Sequence, residues 1–349
     1  MQTMDPEKPV RLTQTVSKGG CAAKLPATDL RTVLAGIHLE SPKELLIGMG
    51  DMDDAALWDQ GDGSCLIHTT DFFTPIVDDP FDFGAVAAAN ALSDVYAMGG
   101  VPQTALCILG FPASDLPLDL IKPLLLGAQR VISKSGACLA GGHTIENPAL
   151  VFGLAVTGKV RKDHYWSNKG AQAGDALILT KGLGTGTLTS GLKNGEVPLE
   201  WVDAAVESMT KLNDAAPLLK EHTVHAATDV TGFSLAGHAM QMALASEKSF
   251  EMETEKLPSI TGALQALEKG ILNKAHRTNQ KYVAGKVIYK KEGDARYWLT
   301  LDPQTSGGLL LCIPQEEANH ALSCLKPRFP LAEQIGRVKE QGTHPVVFK

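Results

Sequence analysis

No run of apolar residues in this 349-residue sequence approaches the roughly 18 needed to cross a membrane as a helix. Nor do the first residues contain the apolar core of a secretion signal, so the expected setting is cytoplasmic and thiol-reducing. Positive charge is in the minority, with 32 Lys and Arg against 39 Asp and Glu. A net charge of −7 and a pI near 5.8 leave no basic stripe to neutralise phosphates, which excludes nucleic acid as a main partner. The six cysteines include no C-x-x-C pair, and no His/Cys cluster stands at zinc spacing. Cys65, Cys107 and Cys312 lie in apolar, strand-like runs and read as small buried hydrophobes. The phosphate-binding signature G-x-x-x-x-G-K-[ST] is missing. Lys181-Gly-Leu-Gly-Thr-Gly186 has its glycines at G-x-G-x-G spacing, not at that of a dinucleotide fingerprint.

The composition that is present, 44% apolar and 20% charged, is that of a soluble globular chain long enough for two domains. The polar stretch Lys162 to Gly174 marks the boundary, dividing 26–165 from 170–349 behind a mobile segment 1–25. Strands are predicted at Leu45 to Gly48, Ala55 to Asp59, Cys65 to Thr70, Gln103 to Gly110, Ala137 to Ala140, Leu150 to Val160, Ala176 to Thr180, His225 to Val230, Phe250 to Glu255 and Leu309 to Pro314. Helices are predicted at Asp29 to Gly36, Phe83 to Met98, Asp119 to Ser135, Trp201 to Leu218, Thr261 to Lys269 and Gln315 to Leu325. Residues 270–297 read as irregular, and two edge strands close the chain. The mixture does not alternate as βαβ units do, so the fold class is α+β.

The chain is organised around residues 67 to 100. A strand runs out at Asp71, and Asp79, Pro80 and Asp82 form a helix start with an N-cap, a proline at the first helical position and an acid in the first turn. On the alanine-rich helix that follows, Asn90 and Asp94 are four residues apart and share one face. A carboxylate and an amide on a packing face require a cation, an arginine, water or a neighbouring loop to satisfy them. Upstream, Asp51, Asp53 and Asp54 crowd three carboxylates after a glycine turn, where a cation or water must screen them. An EF-hand is excluded because Ala56 stands at its glycine position; a hard cation held by a few carboxylates and substrate phosphates fits. Cys21 follows Gly19-Gly20 between Lys18 and Lys24, a permissive backbone and a cationic setting that favours thiolate.

Several motifs in matching order carry a resemblance: Gly-Gly-Cys21-Ala-Ala-Lys24, Asp53-Asp54-Ala-Ala, Thr69-Thr-Asp-Phe-Phe73, Asn90-Ala-Leu-Ser-Asp94, Ala140-Gly-Gly-His143, Thr228-Asp-Val-Thr-Gly-Phe233 and Asp302-Pro-Gln-Thr-Ser-Gly-Gly308. Together they resemble the selenophosphate synthetase (selenide, water dikinase) family, from about Arg11 to the C-terminus. The wider superfamily, with aminoimidazole ribonucleotide synthetase and thiamine-monophosphate kinase, shares the acidic and Asp-Pro-Gln-Thr-Ser-Gly-Gly elements, whereas the Cys21/Lys24 loop selects this member. The resemblance implies two mixed α/β-sandwich domains whose N-terminal sheets pair across a homodimer into a β-barrel. It also implies ATP and selenide as substrates, several Mg²⁺ ions and, often, potassium, with selenophosphate, AMP and phosphate as products. It places Asp54, Asp94 and Asp229 as metal ligands. Asp51, Met52, Asp53, Asp71 and Asp94 would lie along the nucleotide, and Gly142, His143 and Thr144 near it from the partner or the same subunit. Cys21 would handle selenium and Lys24 would steady phosphate charge. Two departures stand out: Ala23 occupies the place of a second cysteine in many relatives, and Met52 that of a basic residue in some. Two rival readings remain open: another ATP enzyme of the superfamily, which would tolerate loss of Cys21, and a nucleotide-binding relative without turnover.

Overall fold

A computed structural model describes residues 10–16, 19–20, 33, 41–50 and 53–349. Alternating apolar strands assemble into two sheets. The first is six-stranded, in the order β1-β2-β3-β6-β4-β5. Its strands are β1 Leu45–Ile47, β2 Ala56–Asp59, β3 Ser64–Phe73, β4 Val101–Phe111, β5 Cys138–Glu146 and β6 Val151–Arg161. Neighbours run antiparallel except β4 and β5, which are parallel. The sheet is open, with β1 and β5 at its edges, so no barrel closes within one chain. The second sheet has seven strands, in the order β10-β13-β9-β12-β7-β11-β8. They are β7 Ala176–Leu179, β8 Ala226–Asp229, β9 Lys248–Met252, β10 Val287–Tyr289, β11 Leu309–Ile313, β12 Glu333–Glu340 and β13 Val346–Phe348. Strands β7, β8 and β11 are buried along their whole length. The α+β expectation thus holds as a mixed, two-sheet architecture.

Helix α1, Pro80–Ala97, forms where its caps direct: the Asp79 carboxylate accepts the Asp82 N–H and Pro80 sits in the first turn. It lies on the first sheet and against α2, Ile121–Lys134. Two glycines permit that approach. A β-carbon on Gly84 would fall 1.9 Å from the Leu124 carbonyl oxygen, and one on Gly127 would fall 1.9 Å from that of Phe81. The face of α1 turned away from the sheet is also buried, because the second half of the chain packs on it. Asn213 donates to both Ser93 Oγ and Gly307 O at 2.8 Å, pinning α1 to the C-terminal half. A helix buried all round reads as alanine-rich without a strong apolar stripe.

Several sequence expectations need correction. Strand β3 continues through Asp71 to Phe73, paired with β6 throughout. The strand expected at Ala137 to Ala140 does not stop there: β5 continues through Gly141 and Gly142 to Glu146, with a register shift against β4 at Ala140. Gly142 is required there, since a β-carbon would meet the Cys107 carbonyl oxygen at 2.3 Å. The expected helix 201–218 is α4, Leu199–Thr210, followed by a separate 3-10 turn at Ala216–Leu218. Helix α3, Thr185–Asn194, was hidden by its glycines and threonines. Residues 270–297 are not irregular but carry α7, Lys274–Val283, then β10 and the start of α8, Ala295–Leu301. Helices α5, Ser234–Ala245, and α6, Ala263–Glu268, precede them, and α9, Gln315–Leu325, follows. Neither closing strand is at an edge, for β12 lies between β9 and β7, and β13 between β10 and β9. The helix expected at 29–36 lies outside the described residues, save Val33.

The N-terminal segment also departs from the mobile reading of 1–25 over part of its length. Leu12 is fully buried. Asp78 accepts from the Thr13 N–H at 2.9 Å and from Thr13 Oγ1 at 2.6 Å, and pairs with Arg11 at 2.9 Å. From the C-terminal half, the carbonyls of Leu192 and Lys193 accept from Arg11 and Gln14, and Lys193 donates to Val16 O. Residues 11–16 are therefore a strap across both halves.

Candidate active site

The acid cluster forms where the two sheets meet. Asp54 precedes β2, and its Oδ1 accepts from Thr228 Oγ1 at 2.8 Å, joining it to the end of β8 in the other half. Asp54 Oδ2 is buried with no hydrogen-bond partner among the described residues. Burial, and then the charges of Asp229, Asp53 and Asp94 in that order, hold the Asp54 carboxyl well above its ordinary range. Asp229 is itself buried at the C-terminal end of β8. Asp53 accepts the Asn168 N–H and the Asp54 N–H. Asp94 accepts from Thr69 Oγ1 on β3. Buried carboxylates raise one another's affinity for protons, and equally for any cation that can replace the proton. An all-oxygen donor set suits a hard divalent ion such as Mg²⁺, and Asp54 Oδ2 is a donor atom of that type.

Asp71 and Asn90 belong to a second layer. Asn90 Nδ2 donates to Asp71 Oδ2 at 2.7 Å, and its Oδ1 accepts the Ser306 N–H at 2.8 Å. All three residues are buried. Asn90 thus satisfies a neighbouring loop, the reading open to it from sequence, while Asp94 on the same face joins the acid cluster. Ser306 adopts φ 48°, a left-handed conformation that costs a non-glycine residue free energy. Both of its backbone polar groups are held: the N–H by Asn90, the carbonyl by Lys181 Nζ at 3.0 Å.

Lys181 was missed as a site residue. It is buried, donates to the carbonyls of Lys211 and Ser306, and lies within the field of Asp229. Burial pushes its ammonium down to about 7, with Asp229 opposing the shift. Its sequence signal was available, a lysine directly after an apolar strand that leads into a glycine loop. The rest of the Asp302-Pro-Gln-Thr-Ser-Gly-Gly308 turn is fixed against the start of α3 and His276. Gln304 accepts from the Gly184 and Thr185 N–H groups, and Asp302 accepts from Thr187 Oγ1 at 2.8 Å with His276 Nε2 at 3.2 Å.

Gly142, His143 and Thr144 are not brought to the acids within one chain. Asp71 faces Leu154, Leu154 faces Cys107 and Cys107 faces Gly142, so β5 lies three strand spacings from β3, about 14 Å away. All three residues are exposed on an edge strand. Cys21, Lys24, Asp51 and Met52 lie outside the described residues. The backbone leading to Cys21 is described, however. Gly20 N–H donates to Thr74 O, and a β-carbon on Gly20 would fall 2.8 Å from Thr305 Oγ1. Gly20 therefore lies beside the turn that carries Ser306.

Two domain profiles match, the AIR synthase related protein N-terminal domain over residues 52–160 and its C-terminal domain over residues 172–349. A selenide, water dikinase of Bdellovibrio bacteriovorus is 47% identical over 345 residues, covering 97% of this chain and 98% of the relative. This chain belongs to the selenide, water dikinase family. A second family member, from Nitrosomonas eutropha, is 45% identical over 99% of this chain and all of the relative. Among solved structures, thiamine monophosphate kinase of Aquifex aeolicus superposes with a TM-score of 0.65 at 20% identity, over 93% of this chain and 96% of the other. Hydrogenase maturation protein HypE in complex with ATP gives 0.65 at 19% identity, over 97% and 94%. These two likenesses establish the shared fold. The family's full-length match makes the chain an enzyme of kinase type.

Proposed function

We propose that the cleft between the two sheets consumes ATP to convert selenide into selenophosphate, releasing AMP and phosphate. The observation that carries the reading is the convergence of Asp53, Asp54 and Asp94 from the first half with Asp229 from the second around one buried, unsatisfied carboxylate oxygen. An ATP triphosphate carries about four negative charges and is repelled by bare carboxylates. Asp54, Asp94 and Asp229 hold Mg²⁺ ions, which, when bound, reverse that sign and neutralise charge developing on the transferred phosphoryl group. Asp53 fixes the peptide at Asn168, and Asp71, held by Asn90, keeps the nucleotide side of the cleft rigid. Asp51 and Met52 complete that side. Potassium is a further cation in this reading.

Cys21 receives selenium and Lys24 steadies phosphate charge. In this reading their loop closes as a lid and excludes water during transfer. The single thiol of this loop, with Ala23 beside it, is sufficient. A homodimer supplies what one chain leaves incomplete: β5 is an exposed edge strand with Ile145 exposed, and Leu106 is exposed on its neighbour β4. Pairing two such sheets into a barrel covers those side chains and brings the partner's β5 residues Gly142, His143 and Thr144 toward the nucleotide. The domains of this reading are 26–165, for nucleotide, metal and dimerisation, and 170–349. The cytoplasm suits five cysteines that are free among the described residues.

Anaerobic phosphorus NMR with ATP, Mg²⁺, potassium and selenide under excess thiol tests the reading. The expected result is a selenium-coupled phosphorus signal together with AMP and phosphate, lost in Cys21→Ala. ATP taken only to ADP, or full activity in Cys21→Ala, would point to a different transfer in the same cleft.

A further inference from the structure

A second cluster of metal-ligating side chains lies at the opposite end of the second sheet. Strand β8 ends at Asp229 in the acid cluster, and four residues before its first residue, Ala226, stands His222. Strand β11 runs antiparallel beside β8, from Leu309 opposite Asp229 to Cys312 opposite Ala226, and then leads into α9. On α9, His320 and Cys324 are one turn apart at i and i+4 and so share a face. The fold sets that face against His222. One ligand atom from each of His222, His320 and Cys324 can be chosen so that all lie within 4.8 Å of one another. The length of β8 alone, about 13 Å, separates this cluster from the acids. The sequence showed no zinc spacing because His222 is 98 positions from His320.

We propose that His222, His320 and Cys324 form a site for a borderline-soft transition metal, with Zn²⁺ the ion its chemistry fits best. His222 Nε2 and His320 Nδ1 stand 2.9 Å apart, and Cys324 Sγ is 4.0 Å from His320 Nε2. Two nitrogens and one sulfur suit Zn²⁺ and exclude the hard cations of the acid cluster. The second observation is that His222 Nδ1 is buried with no hydrogen-bond partner among the described residues. The contact between the imidazoles satisfies at most one nitrogen of that ring, and two imidazolium rings there would repel each other. A metal ion replaces this contact with coordinate bonds and stabilises the whole group. The loop carrying His222 is already aligned: Glu317, one turn before His320, accepts the Thr223 N–H at 2.7 Å. Cys324 would bind as thiolate, releasing its proton. His320 is exposed, so a fourth position stays open to water and the ion can exchange.

The test uses the full chain carrying Cys21→Ser, which removes the thiol of the selenium-handling loop as a competing ligand, in excess Mg²⁺ to fill the acid cluster. Zn²⁺ titration by calorimetry and Co²⁺ titration by absorbance are the two readouts. The expected results are one equivalent of Zn²⁺ and a near-ultraviolet thiolate-to-Co²⁺ charge-transfer band. Adding Cys324→Ser should abolish the band, and His222→Ala should weaken Zn²⁺ binding by about 10–100-fold. Selenophosphate formation, followed in the chain with its native Cys21, should be unchanged by Cys324→Ser. Absence of stoichiometric Zn²⁺ binding, or a band and affinity that survive Cys324→Ser, would overturn the proposal. Circular dichroism of each variant confirms that a loss of binding is not a loss of fold.

Discussion

At the residue scale, two buried ionisable groups define how the cleft behaves before any ligand arrives. Burial, and then Asp229, Asp53 and Asp94, make the folded chain keep the Asp54 proton to higher pH than the unfolded chain does. The folded state therefore binds more protons, and stability from this group is lost as pH rises above the ordinary carboxylate range. Replacing it by Asn should make the metal-free protein more stable at neutral pH, shrink the gain in melting temperature on adding Mg²⁺, and cut turnover by at least about a hundredfold. Scanning calorimetry with and without Mg²⁺ checks this, and a destabilised variant would argue against the electrostatic account. Lys181 works the other way. Unfolded, it keeps its proton up to the usual lysine range, but folded it releases it near 7. Between those values the unfolded chain binds more protons, so stability rises with pH. Lys181→Met should flatten that rise in urea midpoints measured from pH about 7 to about 10. An unchanged slope would show that Lys181 stays charged in the fold.

At the element scale, α1 is the part on which the site is built. Its start was legible from Asp79, Pro80 and Asp82, because caps are local chemistry, and Asp79 does accept from Asp82. Its position is a matter of backbone contact with α2 at Gly84 and Gly127. Gly84→Leu should cost about 3 kcal/mol by forcing the helices apart, seen as a lower urea midpoint, with ATP turnover falling as Asp94 moves. A midpoint within error of the parent would mean that the crossing yields easily. The elements misread from sequence share a cause. Helix α3 has weak intrinsic propensity and is stabilised by Gln304 and Asp302, more than a hundred residues away. Helix α7 is polar on most faces and starts from the Asn273 capping box, whose second half is His276 rather than the usual Glu or Gln.

On the scale of the whole molecule, the cleft exists because the two halves are joined by polar contacts rather than by a shared sheet. Asp71–Asn90–Ser306, Ser93–Asn213–Gly307 and Asp54–Thr228 all cross it, and the strap at Arg11 to Val16 closes one side. Asn90→Ala removes one donor to the buried Asp71 carboxylate and the acceptor of the buried Ser306 N–H, and should cost roughly 2–4 kcal/mol. The same change should reduce ATP affinity although Asn90 contacts no phosphate, which equilibrium dialysis would reveal. Unaltered ATP binding would mean that the halves keep their alignment without this bridge.

What the amino-acid sequence determined by itself was chemistry carried by short spacings: the crowded acids at 51–54, the capped helix with Asn90 and Asp94 one turn apart, the strand-end acid at Asp229 and the family they resemble. Each is fixed by covalent proximity or helical period, which need no tertiary contact. Tertiary structure alone decided how those acids converge, that Asn90 bonds Asp71 and Ser306, that Lys181 is buried among carbonyls, and that β5 is an exposed edge far from Asp71. The physical reason is distance along the chain. Partners 19 residues apart, as Asn90 and Asp71 are, or 216 apart, as Asn90 and Ser306 are, meet through strand order and packing, and neither leaves a local mark on composition or period.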